Sequence, residues 1–230
     1  MANGVIRYAT PGWVIAFTTG RSGGVESVGL RTEELALPRQ VHSDRVCRMR
    51  EAGRPEQTDA VVVDRAGLCA CVKTADCIPV LLYDERQRVV AAVHAGWRGT
   101  VARIVQKTIE EMRPVQGSDL HAIIGPGISL ESFEVGEEVC EAFYREGFPM
   151  ERIARRFPVH GGSRWHVDLW EANRWLLGEM GVEDVFVEGT CTMTSPDFFS
   201  ARREGINTGR NYSGIMIIGS REQGHGESGI

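Results

Sequence analysis

Apolar residues along this chain come in short blocks, and the spacing within and between the blocks assigns its elements. Residues 14–17, 60–63, 68–72, 79–83 and 89–93 are compact runs of valine, isoleucine, leucine and alanine bounded by turn-forming residues, the pattern of β-strands. Five strands thus precede the first helix. That helix is expected over residues 100–112, where Val101, Ile104, Val105, Thr108, Ile109 and Met112 recur at helical spacing and give one face to pack on a sheet. A strand at 122–124 leads into Gly125-Pro126-Gly127, and a second helix carries Glu137, Glu138, Val139, Ala142 and Phe143. Asp168, with Glu171 three positions on, has the capping-box arrangement and opens a third helix whose buried stripe is Leu169, Ala172, Leu176 and Met180. Strands at 185–187 and 215–218 complete the set. Many strands with a few helices predict an α+β fold with helices outside packed sheets. The expected organisation is a single catalytic domain over residues 1–219, with a Gly/Ser/Glu-rich disordered tail at 220–230.

Composition narrows the partners. The chain has 230 residues, 42% hydrophobic and 25% charged, which is ordinary for a globular protein and excludes disordered and fibrous classes. A net charge of -5 without any basic block leaves no electrostatic footprint for nucleic acid or an anionic membrane, so a small-molecule partner is expected. No segment approaches the ~20 apolar residues of a membrane span, and the first residues lack the pattern of a signal peptide. Six cysteines without a C-x-x-C pair fit thiols in a reducing compartment, and a cytoplasmic location is expected. Lys73 and Lys107 are the only lysines among many arginines.

The candidate chemistry lies in His42, Cys77 and His94. Two imidazoles and a thiolate are the ligand set of a catalytic zinc with an open fourth position. The same groups also make a cysteine nucleophile with its base. Cys77 stands just before Pro79, at a strand end or turn, and His94 ends the strand at 89–93 and opens a glycine-rich turn. Taken singly, each has a bland alternative: a buried thiol, a histidine bonded to a loop, a solvated histidine. Their separations match no zinc-finger pattern, so spacing alone does not bring them together. The turn holding Gly96, Arg98 and Gly99 offers backbone N–H groups and a guanidinium to an oxyanion, or is a tight turn with Trp97 as a core plug. Asp76 either orients a ligand histidine from outside the ligand set, the favoured reading, or holds backbone. Arg202, Arg203 and Arg210 occupy a glycine-punctuated loop, where solvated surface is the default and anion contact the minority reading.

As a set, the motifs Gln40-Val41-His42, Thr74-Ala75-Asp76-Cys77-Ile78-Pro79, His94-Ala95-Gly96-Trp97-Arg98-Gly99, Ile124-Gly125-Pro126-Gly127, Phe133-Glu134-Val135-Gly136 and Phe199-Ser200-Ala201-Arg202-Arg203 resemble the YfiH-like laccase-domain family, whose members are described as polyphenol oxidases. The resemblance runs in order from about Phe17 to Ile218. It implies mixed sheets sandwiched by helices, in α/β/β/α-type layers, and a zinc bound by His42, Cys77 and His94. It also implies purine nucleoside phosphorolysis, methylthioadenosine cleavage, adenosine deamination and a connection with peptidoglycan editing. Nucleoside and phosphate would then be the ligands; local geometry, rather than the resemblance, makes Gly96, Arg98, Gly99 and Arg202 the expected substrate or phosphate contacts. The chain departs from the family pattern between Gly23 and Gln40, where it is short and lacks an Asn-Arg pair, and in having Ser43, Gly127 and Ala201 where glycine, cysteine and tyrosine are common. A multicopper centre needs many imidazole ligands; six histidines and no H-x-H pair argue against laccase chemistry, although copper could occupy a Cys/His/His site. The alternatives to the phosphorylase are a metal-free Cys-His hydrolase or deamidase and a copper-binding oxidoreductase.

Overall fold

The computed structural model describes residues 4–116 and 118–219; the tail expected at 220–230 lies outside them. The first half supplies strands β1 Val5–Arg7, β2 Val14–Thr19, β3 Leu35–Ala36, β4 Val46–Met49, β5 Ala60–Val63, β6 Cys69–Thr74, β7 Ile78–Asp84 and β8 Val89–Ala95. Helices α1 Trp97–Val101 and α2 Ile104–Met112 follow, then β9 Leu120–Ile124, β10 Glu134–Val135, α3 Glu137–Arg145 and α4 Met150–Ile153. The chain continues through β11 Ala154–Val159, β12 Gly162–Val167, α5 Leu169–Glu179, β13 Asp184–Val187, α6 Ala201–Glu204 and β14 Asn211–Ile217. A six-stranded sheet runs β13-β9-β7-β8-β5-β4, a five-stranded sheet β1-β2-β14-β6-β3, and a small sheet β10-β12-β11.

Side-chain alternation along the central strands explains the layering. Val62, Val80, Leu82, Ala91 and Val93 face the helices, packing with Ile104, Ile109, Phe143, Leu169 and Leu176. Their sequence neighbours Val61, Val63, Leu81, Val90 and Ala92 point the other way, onto Ala16, Ala70, Val72 and Ile215 of the five-stranded sheet. The central strands β5, β7 and β8 of the six-stranded sheet are therefore buried on both faces, which is why they read as continuous apolar runs rather than as alternating ones. Each fully buried valine or leucine contributes roughly 1.5–3 kcal/mol. The far face of the five-stranded sheet, with Phe17, Leu35, Cys69 and Cys71, is covered by Val25, Leu30 and Leu37. The protein is thus α+β, with two mixed sheets stacked face to face and the long helices on one outer side.

The third expected helix is α5, and Asp168 Oδ1 accepts from Glu171 N at 3.0 Å as its cap. The helix expected over 100–112 is two helices. Arg103 takes a left-handed φ of 61°, which breaks the ladder after α1. Its guanidinium donates to Glu146 O at 2.8 Å and to Gln106 Oε1 at 3.1 Å, and sits over the Trp175 ring at 5.5 Å. The apolar spacing continues across the break, so periodicity alone does not reveal it. Among the described residues no helix is long and apolar enough to cross a membrane.

Candidate metal centre and its cavity

Strand register brings the chemistry together. Antiparallel pairing of β7 and β8 sets Pro79 opposite His94 and Ile78 opposite Ala95. Cys77, one step before β7, consequently lies beside Gly96, one step past β8. The loop between β3 and β4 supplies His42, whose ring centroid is 4.8 Å from that of His94. One ligand atom from each of His42, Cys77 and His94 falls within 4.8 Å of the others, and among the described residues no fourth histidine, cysteine or carboxylate joins them. His121 instead bonds Asp184, and His166 bonds Leu130 O at 2.9 Å.

Asp59, which precedes the apolar strand β5, organises this centre. Its buried carboxylate accepts from His94 Nδ1 at 2.8 Å, His42 N at 2.9 Å, Ser43 N at 2.8 Å, Ser43 Oγ at 2.6 Å and Val41 N at 3.2 Å. His42 adopts a left-handed φ of 61°, and that local conformation accompanies three successive N–H groups turned onto one carboxylate. Burial raises the Asp59 pKa, but the hydrogen bonds from His94 and Ser43 outweigh it and hold the group at about 2. An ionised Asp59 fixes the His94 proton on Nδ1 and leaves the Nε2 lone pair for a metal. Burial pushes the His94 imidazole down, yet the Cys77 thiolate and Asp59 raise it to about 9. Burial likewise raises the Cys77 thiol, and the two histidines bring it down to about 6. Without an ion these shifts describe a Cys77 thiolate facing a His94 imidazolium; a zinc-type ion would take the thiolate and displace the Nε2 proton, leaving the imidazole that Asp59 orients through Nδ1. Gly96 makes room for the triad: a Cβ there would come within 3.0 Å of Cys77 Sγ and 3.2 Å of His42 Cδ2.

The expected auxiliary residues are placed differently. Asp76 does not touch a histidine of the triad. With φ at 87°, it accepts from Thr192 Oγ1 at 2.7 Å and Arg202 N at 2.6 Å, tying the β6–β7 turn to the segment before α6 and to the start of α6 itself. The histidine-orienting carboxylate is Asp59; the sequence clue is an acidic residue directly abutting an apolar strand. A cavity of about 340 Å³ opens over His42, Cys77 and His94, walled by Leu37, Pro38, Ala75, Ala201 and Ile206 and by Arg39, Arg54, Lys73 and Arg210. Gly96, Gly99, Arg98 and Arg202 are absent from its lining. Arg98 is exposed and lies over the Trp97 ring at 4.4 Å, and Arg202 donates to Glu134 O at 3.0 Å. Gly99 packs against the Ser43 carbonyl. The short segment before His42 nevertheless forms a wall, since Leu37 through Gln40 line the cavity. Gln40 also clamps Lys73, donating Nε2 to Lys73 O at 2.8 Å and accepting from Lys73 N at 2.9 Å.

An α+β fold with a His/Cys/His triad in an open cavity at a strand edge defines the class. A family model described as multi-copper polyphenol oxidoreductase laccase matches residues 18–218, and the chain belongs to that family, in its YfiH-like branch. Over 209 residues it is 46% identical to a purine nucleoside phosphorylase of Bacteroides thetaiotaomicron, covering 84% of this chain and 77% of that one. It is 42% identical over 206 residues to adenosine deaminase RL5 from an unknown prokaryotic organism, with 82% and 77% covered. The crystal structure of Neisseria meningitidis protein NMB0706 matches at a TM-score of 0.83 and 32% identity, over 94% of this chain and 100% of that one.

Proposed function

We propose that the protein is a zinc-dependent purine nucleoside phosphorylase with adenosine deaminase side activity. The observation that carries this reading is the convergence of His42, Cys77 and His94, with an outer carboxylate and an open side, on the floor of a cavity that has apolar and cationic walls. The relatives' names, phosphorylase and deaminase, agree with a nucleoside ligand.

His42, Cys77 and His94 would hold the ion, and zinc when bound supplies Lewis-acid polarisation at the open position. Asp59 holds the proton at His94 Nδ1 and so fixes the ring that faces the ion. Leu37, Pro38, Ala75 and Ile206 give the purine an apolar wall and exclude water from it. In phosphorolysis an oxygen of hydrogen phosphate forms a bond to ribose C1′ as the C1′–N bond breaks. The bonding pair leaves with the purine, which takes up a proton, and the products are ribose 1-phosphate and free base.

The adjacent Cys77 and His94 also support a second reading, a metal-free hydrolase in which Cys77 is the nucleophile and His94 the base. Chromatography of products from adenosine, inosine and methylthioadenosine, with and without phosphate, separates these readings. Phosphate-dependent base release that is lost in Cys77→Ala and after chelation is expected. Turnover that ignores both phosphate and chelators would replace the phosphorylase by the hydrolase.

A further inference from the structure

We propose that Lys73, with Arg54 and Arg210 beside it, forms a subsite for a phosphoryl oxyanion in the wall of the triad cavity. This rests on the nucleoside reading above and replaces the phosphate contacts expected from sequence. Among the described residues four cationic side chains line the cavity and no aspartate or glutamate does, in a chain whose net charge is -5. Arg39 is paired with Glu56 at 3.0 Å. Arg210 donates to the carbonyls of Ile206, Thr208 and Gly209, which fixes its guanidinium against the loop carrying Ile206, and among the described residues no carboxylate pairs with it. Among the described residues neither the Lys73 ammonium nor the Arg54 guanidinium has a hydrogen bond or an ion pair. Lys107, the only other lysine, is bonded to Asp44.

Lys73 is half-buried, and its backbone is fixed on both sides by the Gln40 amide. The fixed backbone sets this side chain in the cavity wall, and a half-buried ammonium without a counter-charge there is stabilised when an anion arrives. Burial, then Arg54 and then Arg210, hold the ammonium below its ordinary range, which an arriving anion would reverse. A compact ammonium flanked by guanidinium groups matches the three oxygens of a phosphoryl group. The shared chemistry is that of free phosphate and of a nucleotide's phosphate; free phosphate is the expected occupant because a nucleoside can then sit beside it.

Isothermal titration of the zinc-loaded protein tests this with inorganic phosphate, adenosine 5′-monophosphate and adenosine as probes. Lys73→Met should weaken phosphate binding by about 10-fold or more, and Arg54→Met, at an exposed unbonded side chain, by about 3-fold or more. Lys73→Arg should restore most of it, and adenosine binding should be unchanged throughout. If only the nucleotide binds with this Lys73 dependence, the subsite serves a nucleotide's phosphate. If Lys73→Met and Arg54→Met bind both anions as the wild type does, or the wild type binds neither, the subsite is overturned. Phosphate binding that depends on Lys73 without any base release would instead sink the phosphorylase and leave the subsite standing.

Discussion

Replacing Asp59 by asparagine should disable the metal centre while leaving the chain folded. The carboxylate accepts five hydrogen bonds, two on Oδ1 from His42 N and His94 Nδ1 and three on Oδ2 from Val41 N, Ser43 N and Ser43 Oγ. An amide must turn its NH2 towards one of these groups. Facing the Oδ2 side it would meet two backbone N–H donors, so the less costly orientation puts NH2 at the Oδ1 position. There one donor, His42 N, loses its acceptor, and His94 must accept at Nδ1 and carry its proton on Nε2, where the metal would bind. One orphaned donor and the loss of charge assistance cost about 2–4 kcal/mol in all. The wrong tautomer lowers zinc affinity by roughly 10–100-fold, as for other outer partners of metal-bound histidines. Competition with a chromogenic chelator gives the affinity, and a thermal melt gives the stability. An Asp59→Asn protein that binds zinc within about 2-fold of wild type would refute the assigned role of Asp59.

Gly96→Ala should keep the fold, because Gly96 has φ of -72° and needs no left-handed freedom, yet its methyl would crowd Cys77 and His42. Metal content by plasma mass spectrometry should fall with little change in melting temperature; full loading would contradict the steric argument. In metal-stripped protein Cys77 should alkylate as a thiolate down to about pH 6, the thiol being depressed by the two histidines. Peptide mass spectrometry of iodoacetamide rates checks this, and an inflection near the ordinary thiol value, about 8.5, would refute it. Arg203 donates to Thr192 O and Met193 O at 2.8 Å, Ser195 O at 2.9 Å and Phe198 O at 2.5 Å, so Arg203→Met should cost about 3 kcal/mol. The melting point should drop by roughly 6–12 °C, and an unchanged melt would show that water replaces these bonds.

The strands of the double-sided core are legible in the sequence because burial on both faces keeps polar residues to their ends, as with Asp84 in β7 and His94 in β8. The β11–β12 hairpin is not, since Arg155, Arg156 and Arg164 make its exposed ladder look like a loop. Residues 100–112 mislead for a different reason: Arg103 breaks the ladder without disturbing the apolar spacing. The triad's residues stand out as residue types, whereas their convergence depends on the β7–β8 register, which no local spacing encodes. Asp59, Gln40 and Lys73 act through the loop before β4, where His42 departs from ordinary backbone geometry, so their roles emerge only in three dimensions. The glycine-rich turn at 96–99 carries a constraint at Gly96, room beside Cys77 and His42, and Arg98 and Gly99 lie outside the lining of the triad cavity.

Reconstitution with zinc tests the central reading most directly. Protein stripped by chelation and dialysed should form no ribose 1-phosphate from adenosine and phosphate. Activity should then rise linearly with added zinc to a plateau at about one equivalent, as a three-ligand site with an open position requires. Full phosphorolysis by the metal-free protein, or zinc binding at one equivalent that restores none, would contradict it.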